Sequence, residues 1–67
     1  MSKVILYVYR VDNKVKYVTS NKIDLINYFN HRYDVTIDVN DSIPMIENRL
    51  RELSTGYHEL NETKVEL

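Results

Sequence analysis

The sequence predicts a small α+β domain, in which a short antiparallel or mixed sheet carries two helices on one face. Three observations support this fold class. The chain opens with residues dense in Val, Ile, Leu and Tyr, two stretches with apolar residues at helical spacing follow, and one Gly and one Pro leave no linker. The predicted order is β-β-α-β-α over a single domain of residues 1–67, and residues 57–67 are either a final strand or a flexible tail.

The first predicted element is a β-hairpin. Residues 4–11 have the composition of a strand and are apolar on both faces, which is typical of a strand at the centre of its sheet. Asp12 and Asn13 form a turn pair that tolerates left-handed backbone. Residues 14–19 then alternate in polarity, so they are expected to form the second strand.

The register of this hairpin decides which side chains face outward. A two-residue loop pairs Val8 with Tyr17, and this is the register that we favour. Its core face consists of Val4, Leu6, Val8, Val15 and Tyr17. Its outward face consists of Tyr7, Tyr9, Lys14 and Lys16. The alternative is a three-residue loop, which places Tyr9 beside Tyr17.

Two amphipathic helices are predicted further along the chain. The first runs from about residue 22 to about residue 32, with Ser20 or Asn21 as its N-cap. The second spans about residues 43–54, with Pro44 in its first turn and Gly56 as its C-terminal cap. Between the two helices, the alternation of residues 35–39 predicts a half-buried strand.

Chain length and composition limit how such a domain is stabilised. A chain of 67 residues buries about 60% of its unfolded surface, and its free energy of unfolding is on the order of 3–5 kcal/mol. Because the chain has no cysteine, disulfides are excluded, and we expect a homodimer in which a second subunit supplies the missing support. No apolar run is long enough to span a membrane, so we expect no membrane partner and a cytoplasmic location, in a bacterial cell or a phage host.

Neither a catalytic site nor a cofactor is expected. The single glycine excludes the glycine-rich loops that bind phosphate, and no nucleophile motif surrounds His31 or His58. We expect both histidines at the surface, His31 at the end of the first helix and His58 in a loop. The acidic residues do not match the spacing of a known metal site. The sequence therefore predicts a protein that is not an enzyme.

Three non-catalytic functions remain, and we favour a protein-interaction module that regulates or inhibits a larger partner protein. The Asn, Lys, Ile and Tyr bias is typical of short reading frames from AT-rich bacteria and their phages, which favours such a regulator. The predicted contact residues are Tyr7, Tyr9, Lys14 and Lys16 on the hairpin, and Arg49, Arg51 and Glu52 on the second helix. One alternative is a nucleic-acid-binding protein that uses the tyrosines and lysines of the hairpin. The other is an accessory subunit whose role is assembly.

Overall fold

A computed structural model describes residues 2–66, which form a three-stranded antiparallel sheet and two helices. The elements in chain order are β1 (Lys3–Val11), β2 (Lys14–Thr19), α1 (Lys22–Tyr33), α2 (Ile43–Leu53) and β3 (His58–Glu66). The strand order β2-β1-β3 confirms the α+β class and the central position of β1. Of the two alternatives for residues 57–67, the final strand is the one that forms, as β3. Leu67 lies outside the described residues. Within the part of the chain that the structure describes, no helix is long and apolar enough to cross a membrane.

The hairpin combines features of both predicted registers. Asp12 and Asn13 have φ values of 51° and 68°, which is the left-handed pair that a two-residue type I′ turn requires. The strands pair regularly beside this turn, but a β-bulge at Lys16 then shifts the register, so that Tyr9 lies opposite Tyr17. The loop is therefore the one that we favoured, and the pairing beyond it is that of the alternative.

The predicted core face of the sheet is wrong. Tyr7 and Tyr9 are 8% and 0% exposed, whereas Val15 and Val18 are 56% and 50% exposed. Since β1 is apolar on both faces, hydrophobic periodicity does not choose between them, and the face with the larger aromatic side chains buries more apolar area. One cluster forms the core: Tyr7, Tyr9, Leu25, Ile26, Phe29, Ile37, Ile46, Leu50 and Leu60.

Both helices begin where the sequence predicts. The side-chain carbonyl of Asn21 accepts a hydrogen bond from the N–H of Ile23 at 2.9 Å, and the hydroxyl of Ser42 caps α2 in the same way at 3.4 Å. The predicted C-terminal cap of α2 needs a correction, because the helix ends at Leu53 and Ser54 is its C-cap in an extended conformation. Gly56 is therefore not the helix cap. It lies in the turn that leads into β3, with a φ of 108°.

The strand predicted at residues 35–39 does not form. This segment is a loop, and the side-chain amide of Asn30 takes the place of a neighbouring strand. Its Oδ1 accepts from the N–H of Ile37 at 2.7 Å, and its Nδ2 donates to the carbonyl of Ile37 at 3.3 Å. The alternation of residues 35–39 did locate a buried residue, since Ile37 is 5% exposed. At Ile37, the Asn30 side chain satisfies both backbone groups that a ladder would have paired, so this residue is buried without a neighbouring strand.

Candidate functional site

No helix or strand among residues 2–66 covers the face of the sheet that points away from the helices. Side chains alternate along a strand, so the buried tyrosines of β1 face the helices while Val4, Leu6 and Val8 face the other way. The pairing of the strands extends this surface across the sheet. It consists of Val4, Leu6, Val8 and Arg10 of β1, Val15 and Val18 of β2, and Glu59, Asn61, Thr63 and Val65 of β3. We call this surface the outer sheet face.

Most of the outer sheet face is apolar and accessible. Val15 and Val18 are at least half exposed, and Val8, which pairs with Val18, is partly exposed although it lies on the central strand. Arg10 and Glu59 lie opposite each other at the hairpin end, where they give the surface one charged boundary. Single exposed apolar side chains are ordinary, but a contiguous group with a polar rim is typical of an interaction surface.

The two edges of the sheet carry opposite charge. The edge strand β2 contains two lysines and no acidic residue, whereas the opposite edge strand β3 contains three glutamates and one lysine. The separation follows from the sequence, because basic residues dominate the first half of the chain and acidic residues the second half. The central β1 keeps the two edges apart.

Side chains of α2 cover the first part of the β3 edge. Glu47 Oε2 accepts from the N–H of Leu60 at 2.8 Å, and Arg51 Nε donates to the carbonyl of His58 at 3.1 Å. An ion pair of 3.2 Å joins Glu47 to Arg51 within the helix, where residues four apart are neighbours on the surface. The two side chains bind backbone groups that a fourth strand would otherwise pair with.

A cleft of about 590 Å³ opens near the hairpin end of the sheet. In its wall the hydroxyl of Tyr9 is hydrogen-bonded to the hydroxyl of Tyr33 and to His58 Nδ1, the latter at 2.7 Å. His58 Nε2 donates to the carbonyl of Thr55 at 3.2 Å, so in the neutral imidazole Nδ1 is the acceptor and Tyr9 the donor. Burial, and then the hydrogen bond with Tyr33, raise the pKa of Tyr9 well above its usual 10.0. Each polar group in this chain has a hydrogen-bond partner within the chain, and the hydrogen bonds connect β3 to the core.

His58 therefore differs from its predicted surface position. It is the first residue of β3, it is 1% exposed, and its ring stacks on that of Tyr9 at 5.9 Å. Its two ring nitrogens are both hydrogen-bonded within the fold. His31, by contrast, is exposed in the last turn of α1, as predicted.

The predicted hairpin contacts are divided between core and surface. Tyr7 and Tyr9 lie in the core, so the expectation that they face outward is wrong. Lys14 and Lys16 are exposed, and the bulge turns Lys16 toward the cleft near the hairpin end. Tyr17 is also engaged, because its hydroxyl donates to Asp24 at 2.6 Å and this hydrogen bond raises its pKa.

The predicted contacts on α2 are divided as well. Arg51 is held by Glu47 and by the β3 backbone, and its guanidinium lies 4.9 Å from the centre of the Tyr57 ring. Arg49 and Glu52 are exposed and line a shallow cavity of about 240 Å³. The sequence-based assignment of contact residues did not include the exposed valines of the outer sheet face, Val15 and Val18. The sequence did indicate this surface, because β1 is apolar on both faces and its second face stays accessible unless another surface packs against it.

Comparison with known proteins adds no assignment. The chain matches no family model, no curated protein and no solved structure.

Proposed function

We propose that the protein is a small non-catalytic interaction module that regulates or inhibits a larger partner protein and binds it through the outer sheet face. One observation carries this proposal. Both helices pack on the tyrosine side of the sheet, and no described element covers the valine side of the same strands. Covering that side removes exposed apolar area from water, which is the main favourable contribution to association.

The occupant that fits this surface is the apolar side of an amphipathic helix from the partner. Three strands about 4.8 Å apart make a surface about 14 Å wide, which accommodates one helix of about 10–12 Å diameter. The inner face of the sheet already shows this kind of packing, since Ile46 and Leu50 of α2 belong to the core cluster that includes the tyrosines of β1. Arg10 and Glu59 at one end supply charges that fix the direction of the bound helix.

A photo-crosslinking experiment tests the proposal directly. A benzophenone amino acid replaces Val18, which is 50% exposed on the outer sheet face, and the protein is irradiated in the cells that carry the sequence. The matched control places the same group at Asn27, which is exposed on α1. We expect a protein adduct at position 18 alone, with the crosslinked peptide lying in an amphipathic helix of the partner.

Two outcomes of that experiment would contradict the proposal. Equal labelling from both positions would mean that the outer sheet face has no preferred occupant. An adduct with nucleic acid would support the alternative function instead. The nucleic-acid alternative depends on tyrosines that stack on bases, and two of them, Tyr7 and Tyr9, are buried.

A further inference from the structure

The last residues of β3 extend beyond the side chains that cover its edge. The N–H of Asp12 donates to the carbonyl of Tyr57 at 3.0 Å, which fixes the direction of the backbone groups in the strand that follows. Odd-numbered residues of β3 turn their N–H and C=O toward β1, and even-numbered residues turn theirs toward the outer edge. His58 and Leu60 agree with this assignment, since α2 side chains bind their outward groups.

The open part of the edge is therefore formed by Glu62, Lys64 and Glu66. The three are exposed, and they point to the same side of the sheet because they are two residues apart. Their charges alternate in sign. A strand that pairs with this edge meets an acidic, a basic and an acidic side chain in turn.

A second copy of the same strand matches this pattern in one antiparallel register. With a two-fold axis at Thr63, Glu62 of each copy lies opposite Lys64 of the other, and both pairs are attractive. Moving the axis by one residue toward either end brings Lys64 opposite Lys64, or Glu62 opposite Glu62. An axis at Val65 also pairs opposite charges, but it overlaps only residues 64–66 of the described strand. The axis at Thr63 overlaps residues 61–65 even when Leu60, whose N–H Glu47 already binds, is left out.

We propose that residues 61–65 of β3 pair antiparallel with the same residues of a second copy, with the two-fold axis at Thr63. The two sheets become one six-stranded sheet, in which Glu62 and Lys64 exchange backbone hydrogen bonds across the axis. Because residues of the same parity lie opposite each other, both sets of helices lie on one face. The two outer sheet faces join on the other face. The pairing would add the support of a second subunit to a cysteine-free chain of 67 residues.

Charge reversal tests the pairing. The wild-type protein is expected to be a dimer by size-exclusion chromatography with light scattering. K64E places glutamate opposite Glu62 in both symmetric pairs, so the dissociation constant should rise about tenfold or more. The double variant E62K/K64E restores both attractions and should restore the dimer. K14E is the matched control on the opposite edge, and it should leave the dimer unchanged.

A cysteine scan tests the register. The chain has no cysteine, so T63C introduces the only thiol. In this register Thr63 and its symmetry mate form a non-hydrogen-bonded pair with Cα atoms about 4.5 Å apart, which is within the range of a disulfide. T63C should therefore form a covalent dimer under mild oxidation, and V65C should form much less.

Three results would overturn the inference: a monomeric wild type, a K64E variant as dimeric as wild type, or a V65C variant that crosslinks faster than T63C. None of them would affect the proposed function, because the photo-crosslink at position 18 reports on a different strand. Conversely, a dimer whose position 18 finds no partner helix would contradict the proposed function alone.

Discussion

Replacing Asn30 by alanine should loosen the loop that the sequence predicts as a strand. The amide of Asn30 makes two hydrogen bonds to the backbone of Ile37, at 2.7 and 3.3 Å. Each is worth about 1 kcal/mol, and the loss leaves polar groups of a residue that is 5% exposed without a partner. Because alanine has a higher helix propensity than asparagine, the substitution also stabilises α1 by about 0.5 kcal/mol. We expect a net loss of about 1–2 kcal/mol from a total on the order of 3–5 kcal/mol.

Urea unfolding followed by circular dichroism measures this loss. N27A is the matched control, because Asn27 is exposed on the same helix and its replacement changes helix propensity alone. N27A should be slightly more stable than wild type and N30A clearly less stable. The difference in free energy of unfolding between the two variants then gives the contribution of the Asn30 amide. If N30A is as stable as N27A, burial of Ile37 holds the loop by itself, and the amide of Asn30 is not the reason that the strand is missing.

Tyr9, Gly56 and Glu47 give three further predictions. Because burial raises the pKa of Tyr9, the folded state keeps a proton that the unfolded chain releases, so the free energy of unfolding is unaffected below pH 10.0 and falls above it. Tyr9 contributes a slope of up to about 1.4 kcal/mol per pH unit, and urea unfolding of Y9F between pH 9 and 11 should show a smaller decrease, because only Tyr9's contribution is removed. G56A should lose about 1–3 kcal/mol in urea unfolding, because the φ of Gly56 is 108° and a Cβ would meet Asp12 Oδ2 at 3.3 Å. E47A should speed hydrogen exchange at the Leu60 amide, and an unchanged rate would contradict its role as the partner of that N–H.

Features set by a few neighbouring residues could be predicted from the sequence. The turn at Asp12 and Asn13 needs two residues that tolerate positive φ, and this pair tolerates it better than most. The caps at Asn21 and Ser42 need one side-chain oxygen beside the first free N–H groups of a helix. Such interactions span two or three residues, so the sequence displays them directly.

Features set by distant contacts could not be predicted in this way. The choice of the buried face of β1 depends on which side the helices cover, and both sides offer apolar residues to them. The bulge at Lys16 reconciles a two-residue turn with the pairing of Tyr9 and Tyr17, and neither requirement is visible from Lys16 itself. The wrong choice of buried face also affected the predicted contact residues, because Tyr7 and Tyr9 were expected at the surface and lie in the core.

In this fold, polar side chains bind backbone groups that a neighbouring strand would otherwise pair with. Asn30 binds both backbone groups of Ile37, while Glu47 and Arg51 bind the edge of β3. Glu47 and Arg51 lie one helical turn apart, a spacing at which opposite charges pair. That spacing does not show that the pair faces a strand edge rather than solvent or a partner. Of the charged residues predicted to contact a partner, Arg51 is thus held by the fold. The surface that we propose for a partner is the outer sheet face, which includes four residues of the predicted core face: Val4, Leu6, Val8 and Val15.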